Sequence, residues 1–249
     1  MKYDLHIHSC LSPCGDGDMT PNNIVGMAML GGLEIAALTD HNTTLNCPAF
    51  FKACEKVGVV PIGGMELTTA EDIHMVCLFR DLERAMAFGE MIAEHRMKIK
   101  NRPDIFGEQT VLDENDEIVS VVDDLLVAGT DLDLSTAYSL VMEYEGAAFP
   151  AHVDKQSNGI LAILGDFPIE PIFATAEFHD ISKREEYVKK YPTLSGMNCV
   201  TCSDAHYLHL MSEEPGDLPI DRGNMSDDDV RKAVIKYLNG HVSKDKGSV

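Results

Sequence analysis

Positive charge is scarce in this sequence: 20 lysines and arginines stand against 41 aspartates and glutamates, a formal net charge of −21. A surface of that sign repels a polyanion, because tight nucleic-acid binding normally starts from a basic patch. The expectation is that no long nucleic acid is among the partners, while a small anion drawn into a locally positive pocket stays open. No apolar run approaches the ~18 residues that span a bilayer, so no membrane partner is expected. Met1-Lys2-Tyr3-Asp4 leads straight into a polar, histidine-bearing segment and not into the apolar core of a signal peptide. These absences predict a soluble, cytoplasmic protein. A complete set of cysteine pairs is lacking too: seven cysteines fit reduced thiols in that compartment. No repeat, low-complexity tract or Pro/Ser-rich linker divides the chain, so residues 1–249 read as one domain.

What is present is a recurring short apolar run, a polar turn and a helical pattern. The runs fall at 2–8, 33–39, 57–67, 73–79, 147–152, 173–178 and 198–202, and helical patterns at about 21–31, 46–57, 81–99, 134–145, 182–190 and 226–239. Thr20 before Pro21, and Ser226 before three aspartates, suit helix N-termini. The alternation predicts an α/β fold with a mainly parallel sheet, and seven runs suit a barrel. The 78 residues from His74 to His152 exceed one strand–helix unit. Residues 109–112 and 117–122 flank an acidic turn there, so about 100–133 read as an insertion with a hairpin, placed over the site as a lid.

The first run ends in His6-Ile7-His8, and residues i and i+2 of a strand share a face. Alone, that pair is weak. The pattern lies in what ends the other runs: Thr39-Asp40-His41, then Gly63-Gly64-Met65-Glu66, His74, His152, and Ser203-Asp204-Ala205-His206. In parallel α/β barrels catalytic groups come from the C-terminal ends of strands, and here almost every run terminates in His, Asp or Glu.

This ordered set, spanning residues 6 to 206, resembles the polymerase-and-histidinol-phosphatase (PHP) family. That family includes histidinol-phosphate phosphatases, nucleotide phosphoesterases, and a proofreading or structural domain of bacterial replicative polymerases. The resemblance implies a distorted seven-stranded (β/α) barrel with a trinuclear metal site. It places His6, His8, Glu66 and Asp204 on one ion, with Glu66 bridging to a second held by His74 and His152. Asp16, His41 and His206 would hold a third, and Asp40 would orient a ligand histidine. The loop 9–15 is longer than the family's usual version, so Asp18 can take the place given to Asp16.

Six neutral imidazoles and three carboxylates around three divalent ions leave a formal excess of about +3, a site for a phosphate dianion. The expected activity is metal-dependent hydrolysis of a small phosphate ester, by water whose pKa the ions lower from 15.7 towards ~7. Glu66 and Asp204 are the carboxylates of that chemistry, and His179 is a candidate proton donor to the leaving group. Lys155 and Arg102 are candidate contacts to the substrate phosphate. Mixed nitrogen and oxygen ligands suit two to three ions of Zn, Mn or Fe. The Cys199–Cys202 spacing reads as buried strand thiols, while Cys10 and Cys14 lie in the loop beside the site. His95 reads as solvated, and His209 and His241 carry no pattern. An amidohydrolase-type enzyme is disfavoured because Glu66 stands where a bridging lysine is needed. A non-catalytic metal-binding module is the remaining rival.

Overall fold

The computed structural model describes residues 1–211 and 215–240, so His241 lies outside the described residues. In chain order its elements are β1 (Lys2–Asp4), α1 (Pro21–Leu30), β2 (Ile35–Leu38), α2 (Cys47–Val57), β3 (Val60–Thr68), β4 (His74–Phe79), α3 (Leu82–His95), α4 (Pro103–Phe106) and β5 (Thr110–Leu112). Then follow β6 (Ile118–Val121), α5 (Leu134–Glu143), β7 (Ala147–Pro150), α6 (Ile160–Leu164), β8 (Thr175–Phe178), α7 (Arg184–Lys190), β9 (Asn198–Thr201), β10 (Gly216–Asp217) and α8 (Asp227–Leu238). Thr20 accepts the Asn23 amide at the start of α1, and Ser226 with Asp229 forms a reciprocal capping box on α8. Helix α3 stops at His95, short of the periodic pattern, because Arg96 turns extended and bridges to Thr130.

The main sheet runs β10-β1-β2-β3-β4-β7. Strands β1, β2 and β3 are parallel, whereas β4 is antiparallel to both β3 and β7. The short link 69–73 explains the reversal: a parallel crossover needs about a dozen residues or more. Strands β8 and β9 form a separate parallel pair. The α/β class stands, but the seven-stranded barrel does not: the ladder is a curled, open sheet of six strands. Its continuity fails where the chain leaves extended geometry, at His152 (φ 27) and Asp204 (φ 49). Across the first gap the backbone contact is Val153 N–H to the Glu177 carbonyl at 2.8 Å; across the second it is His8 N–H to the Ala205 carbonyl at 3.0 Å.

The sheet has two apolar faces. On one, Leu5, Ile35, Val60, Ile62 and Phe149 pack with Val230 and Val234 of α8. On the other, Ala36 and Leu38 meet α1 and α2, while Met75, Cys77 and Phe79 meet α3 and α5. Strands β5 and β6 form a hairpin of their own. Its tip residue Asp116 accepts hydrogen bonds from Thr20 Oγ1 at 2.7 Å and Asn22 Nδ2 at 2.9 Å, which pins it to the start of α1. No helix among the described residues is long and apolar enough to cross a membrane.

Candidate metal centre

The α8-facing side of the sheet changes from hydrocarbon to ligand chemistry at one end. Residues of one parity share a face, so Ile35 and Ala37 lead to His41, Val60 and Ile62 to Glu66, and Leu78 and Val76 to His74. On the first strand the parity slips: Leu5 packs inward but Ile7 packs outward. Buried Asp4 holds that break, accepting the His6 amide at 3.3 Å and the Ser203 amide at 3.1 Å, and so turns His6 and His8 inward. Burial lifts the Asp4 pKa to about 6. Before Glu66 the backbones of β3 and β4 are so close that a Cβ at Gly64 would overlap the Cys77 carbonyl, which accounts for the glycine there.

Glu66 is the hub. Its Oε1 lies 2.8 Å from His74 Nδ1, 3.1 Å from His152 Nε2 and 3.4 Å from His6 Nε2. Its Oε2 lies 3.2 Å from His41 Nδ1 and 3.3 Å from His8 Nε2. Asp204 Oδ1 sits 3.5 Å from His6 Nε2 and 3.4 Å from His8 Nε2. The ring of His206 stacks on His8 with centroids 4.1 Å apart, and His8, His41 and His206 form a further group able to share an ion.

These residues fit divalent metal. Four ligands ~2.1 Å from a tetrahedral ion lie ~3.4 Å from one another. The spacings among His6, His8, Glu66 and Asp204 match that, including the 3.1 Å between the two Nε2 atoms. Asp204 Oδ1 and His41 Nδ1, both facing the cluster, are buried and make no hydrogen bond. Each such orphan costs ~1–3 kcal/mol unless something takes its lone pair.

The electrostatics point the same way. Burial opposes charge on His6, but the carboxylates of Glu177, Glu66 and Asp204 outweigh it and hold the imidazole well above its ordinary range. His8 behaves alike: burial opposes, and hydrogen bonding to Asp204 and Glu66 raises it to about 9. Burial and then the neighbouring His8 push His41 far down and bring His206 to about 4. Burial would raise Glu66, yet His74 and His6 keep it well below the carboxylate range.

A pH dependence follows from His8. Between its unperturbed 6.5 and about 9, the folded, metal-free imidazole retains a proton that an arriving cation must displace. Metal affinity is therefore expected to rise with pH in that window, roughly tenfold per unit for each proton released. Competition against a chelator at pH 7 and pH 8.5 measures it, and affinity that stays flat would show that the metal-free His8 holds no proton in that window.

The structure gathers every sequence-nominated ligand except Asp16. That carboxylate accepts the Asp18 amide at 2.9 Å and joins none of the ligand groups, and Asp18 itself is exposed. Asp40 acts through serine: His8 Nδ1 lies 3.0 Å from Ser12 Oγ, which donates to Asp40 at 2.7 Å. A cavity of about 150 Å³ opens on the centre, lined by His41, Glu66, His74, His152, Asp204 and His206 with Lys155, Ser157 and Asn158, while His6 and His8 lie behind that lining. Two nominated residues are not there. His179 is exposed, and its backbone amide serves Asp154; Arg102 is 63% exposed and pairs with Asp104 at 2.9 Å. The hairpin contributes nothing to the cavity lining either, because its tip is tied to α1. A larger cleft of about 390 Å³ lies between it and the loop before α1, but it contains none of the clustered ligands.

Glu177 went unrecognised in the sequence. It is buried, with both carboxylate oxygens within 3.0–3.1 Å of His6 Nδ1, and Oε2 also accepts the His152 amide at 3.2 Å. Its signal was parity. Ala176 and Phe178 pack outward, so a lone glutamate between them near a strand's end faces inward, as Glu66 does.

An open α/β sheet carrying a histidine–carboxylate cluster at its strand ends defines a class of metal-binding hydrolase-like folds. Within it the chain belongs to the PHP domain family, whose model matches residues 4–149. Over 80 residues it is 38% identical to a 5′-3′ exoribonuclease of Haemophilus influenzae, covering 31% of this chain and 28% of that protein. The lesion-specific endonuclease PfuEndoQ of Pyrococcus furiosus shares the fold, with TM-score 0.64 and 17% identity, over 97% of this chain and 56% of that one. A Bifidobacterium adolescentis protein described as a candidate metal-dependent phosphoesterase gives TM-score 0.57 and 19% identity, covering 95% and 96%. The chain thus spans under two thirds of the exoribonuclease and of the endonuclease.

These likenesses overturn the exclusion of long nucleic acid. One relative is an exoribonuclease, and endonuclease Q, sharing the fold at TM-score 0.51, has been solved with a 27-mer duplex. Net charge averages over the whole surface, whereas binding at a metal centre depends on the local field, which cations can invert.

Proposed function

We propose that this protein is a metal-dependent phosphoesterase that hydrolyses a phosphate ester at the His6–His8–Glu66–Asp204 centre. The observation that carries the reading is the tetrahedral spacing of that quartet, joined through Glu66 to His41, His74 and His152. The quartet would hold one ion. Glu66 with His74 and His152 would hold a second, and His41 with His206 a third, the cations being Zn, Mn or Fe. When bound, such ions supply Lewis acidity toward a phosphoryl oxygen and acidify water near neutral pH.

The chain's own residues prepare the site. Glu177 accepts the His6 Nδ1 proton, which leaves Nε2 as the ligand atom. Ser12, braced by Asp40, does the same for His8. A cavity of about 150 Å³ has room for a phosphoryl group and the first atoms of its leaving group, and the remainder of the substrate stays outside. That geometry suits a small phosphate ester such as histidinol phosphate or a nucleotide, and equally the phosphorylated end of a nucleic-acid strand.

The test is phosphate release by Mn- or Zn-loaded protein from p-nitrophenyl phosphate, a panel of phosphorylated metabolites and 5′-phosphorylated oligonucleotides. Release that chelation abolishes and metal restores is expected. Protein with two or more equivalents of metal that cleaves none of these would overturn the reading in favour of a non-catalytic metal-binding module.

A further inference from the structure

One loop, residues 152–159, supplies everything in the cavity lining that does not belong to the ligand clusters: Lys155, Ser157 and Asn158. A lysine following a strand is ordinarily a solvated charge. This one lies 2.7 Å from Asp204 Oδ2, with the two side chains 31% and 10% exposed. The Asp204 carboxylate is thereby divided. Oδ1 faces His6 and His8 and makes no hydrogen bond, while Oδ2 is held by the ammonium group.

We propose that Lys155 is the residue that selects the charge of the substrate: its ammonium group, shared with Asp204, binds a non-bridging phosphoryl oxygen and favours dianionic monoesters over monoanionic diesters. This rests on the phosphoesterase reading and adds the class of ester to it. An ammonium group has three N–H donors, so engaging Asp204 leaves capacity for a phosphoryl oxygen in the same cavity. Among the described residues Lys183 is another cation beside this loop, but it lies 3.3 Å from Asp154 and does not line the cavity.

Position matters as much as charge, and the loop is braced. The Lys155 amide donates to the His152 carbonyl at 2.9 Å, and the His74 amide donates to the Asn158 carbonyl at 2.9 Å. Asp154 accepts the amides of His179 and Asp180 at 2.7 and 3.0 Å. At Gly159 a Cβ would come within 2.8 Å of the Lys155 carbonyl, so the turn closes tightly behind the lysine. The three divalent ions of the proposed centre, against the two clustered carboxylates Glu66 and Asp204, leave about +4, and Lys155 brings the cavity to about +5. Each added positive charge favours the ester carrying the greater negative charge.

The experiment compares metal-loaded wild type, Lys155→Met and Lys155→Arg. It reads metal content, inorganic phosphate affinity by calorimetry, and kcat/KM on p-nitrophenyl phosphate and bis(p-nitrophenyl) phosphate. Lys155→Met is expected to keep its metal, bind phosphate roughly 10- to 100-fold more weakly and lose monoester turnover by a similar factor. Diester turnover should change by less than about threefold, and Lys155→Arg should restore part of the phosphate affinity. Equal losses on both esters, or phosphate affinity unchanged in the Met variant, would overturn the proposal, whether or not metal content falls. If the wild type cleaves neither ester yet its phosphate binding depends on Lys155, hydrolysis fails as a reading and the anion site stands.

Discussion

Glu66→Gln is expected to abolish turnover and strip the centre of most of its metal. Five histidine nitrogens lie within 3.4 Å of the two Glu66 oxygens, so one carboxylate joins the ligand groups of the site through His6, His8, His41, His74 and His152. Glutamine matches the volume and keeps the packing of a side chain that is 1% exposed, but it removes the negative charge. It also places N–H donors where a cation needs lone pairs. A loss of about 4 kcal/mol in transition-state stabilisation, roughly a thousandfold in kcat/KM, is the expected scale. Elemental analysis paired with a phosphate-release assay reads both halves. A Gln variant with full metal content and wild-type rate would remove Glu66 as the bridge.

Glu177→Gln should weaken metal binding about 10- to 100-fold while leaving the fold intact. The glutamate also accepts the His152 backbone amide, but its effect on the ligand atoms runs through the His6 ring: it accepts the Nδ1 proton, orients the imidazole and raises its basicity. Glutamine can still accept that proton through its amide oxygen, so orientation survives and the charge is lost. Chelator competition measures the affinity, and a thermal melt of the metal-free variant separates ligand tuning from misfolding. Affinity within twofold of wild type would reduce Glu177 to packing around β8.

Both residues are glutamates near strand ends, yet only one was visible in the sequence. Glu66 was found because it follows a glycine pair and falls in order between Thr39-Asp40-His41 and His74. Glu177 sits in a run whose apolar neighbours read simply as core, and His179 beyond it drew the inference instead. Once β8 is in place, Ala176 and Phe178 face outward and Glu177 must face inward, while His179 lies on the exposed surface. A period-2 pattern shows which residues share a face and leaves open which face is the inside.

The sequence alone determined most of the succession of strands and helices and the helix caps at Thr20 and Ser226, and it nominated as ligands the residues that the structure gathers in one cluster, His6, His8, His41, Glu66, His74, His152, Asp204 and His206. These follow from local propensity and from ligand-type residues recurring at the ends of apolar runs, and both are properties of neighbours along the chain. Tertiary structure decided the rest. It made β4 antiparallel, left the sheet open where His152 and Asp204 turn out of extended geometry, and pinned the hairpin to α1 and away from the cavity. It also kept Asp16 and Arg102 out of the site and set Lys155 against Asp204. Those outcomes depend on which distant backbones meet. Contacts such as Lys155 with Asp204, or Glu177 with His6, join residues 49 and 171 positions apart, and no local pattern encodes such a pairing.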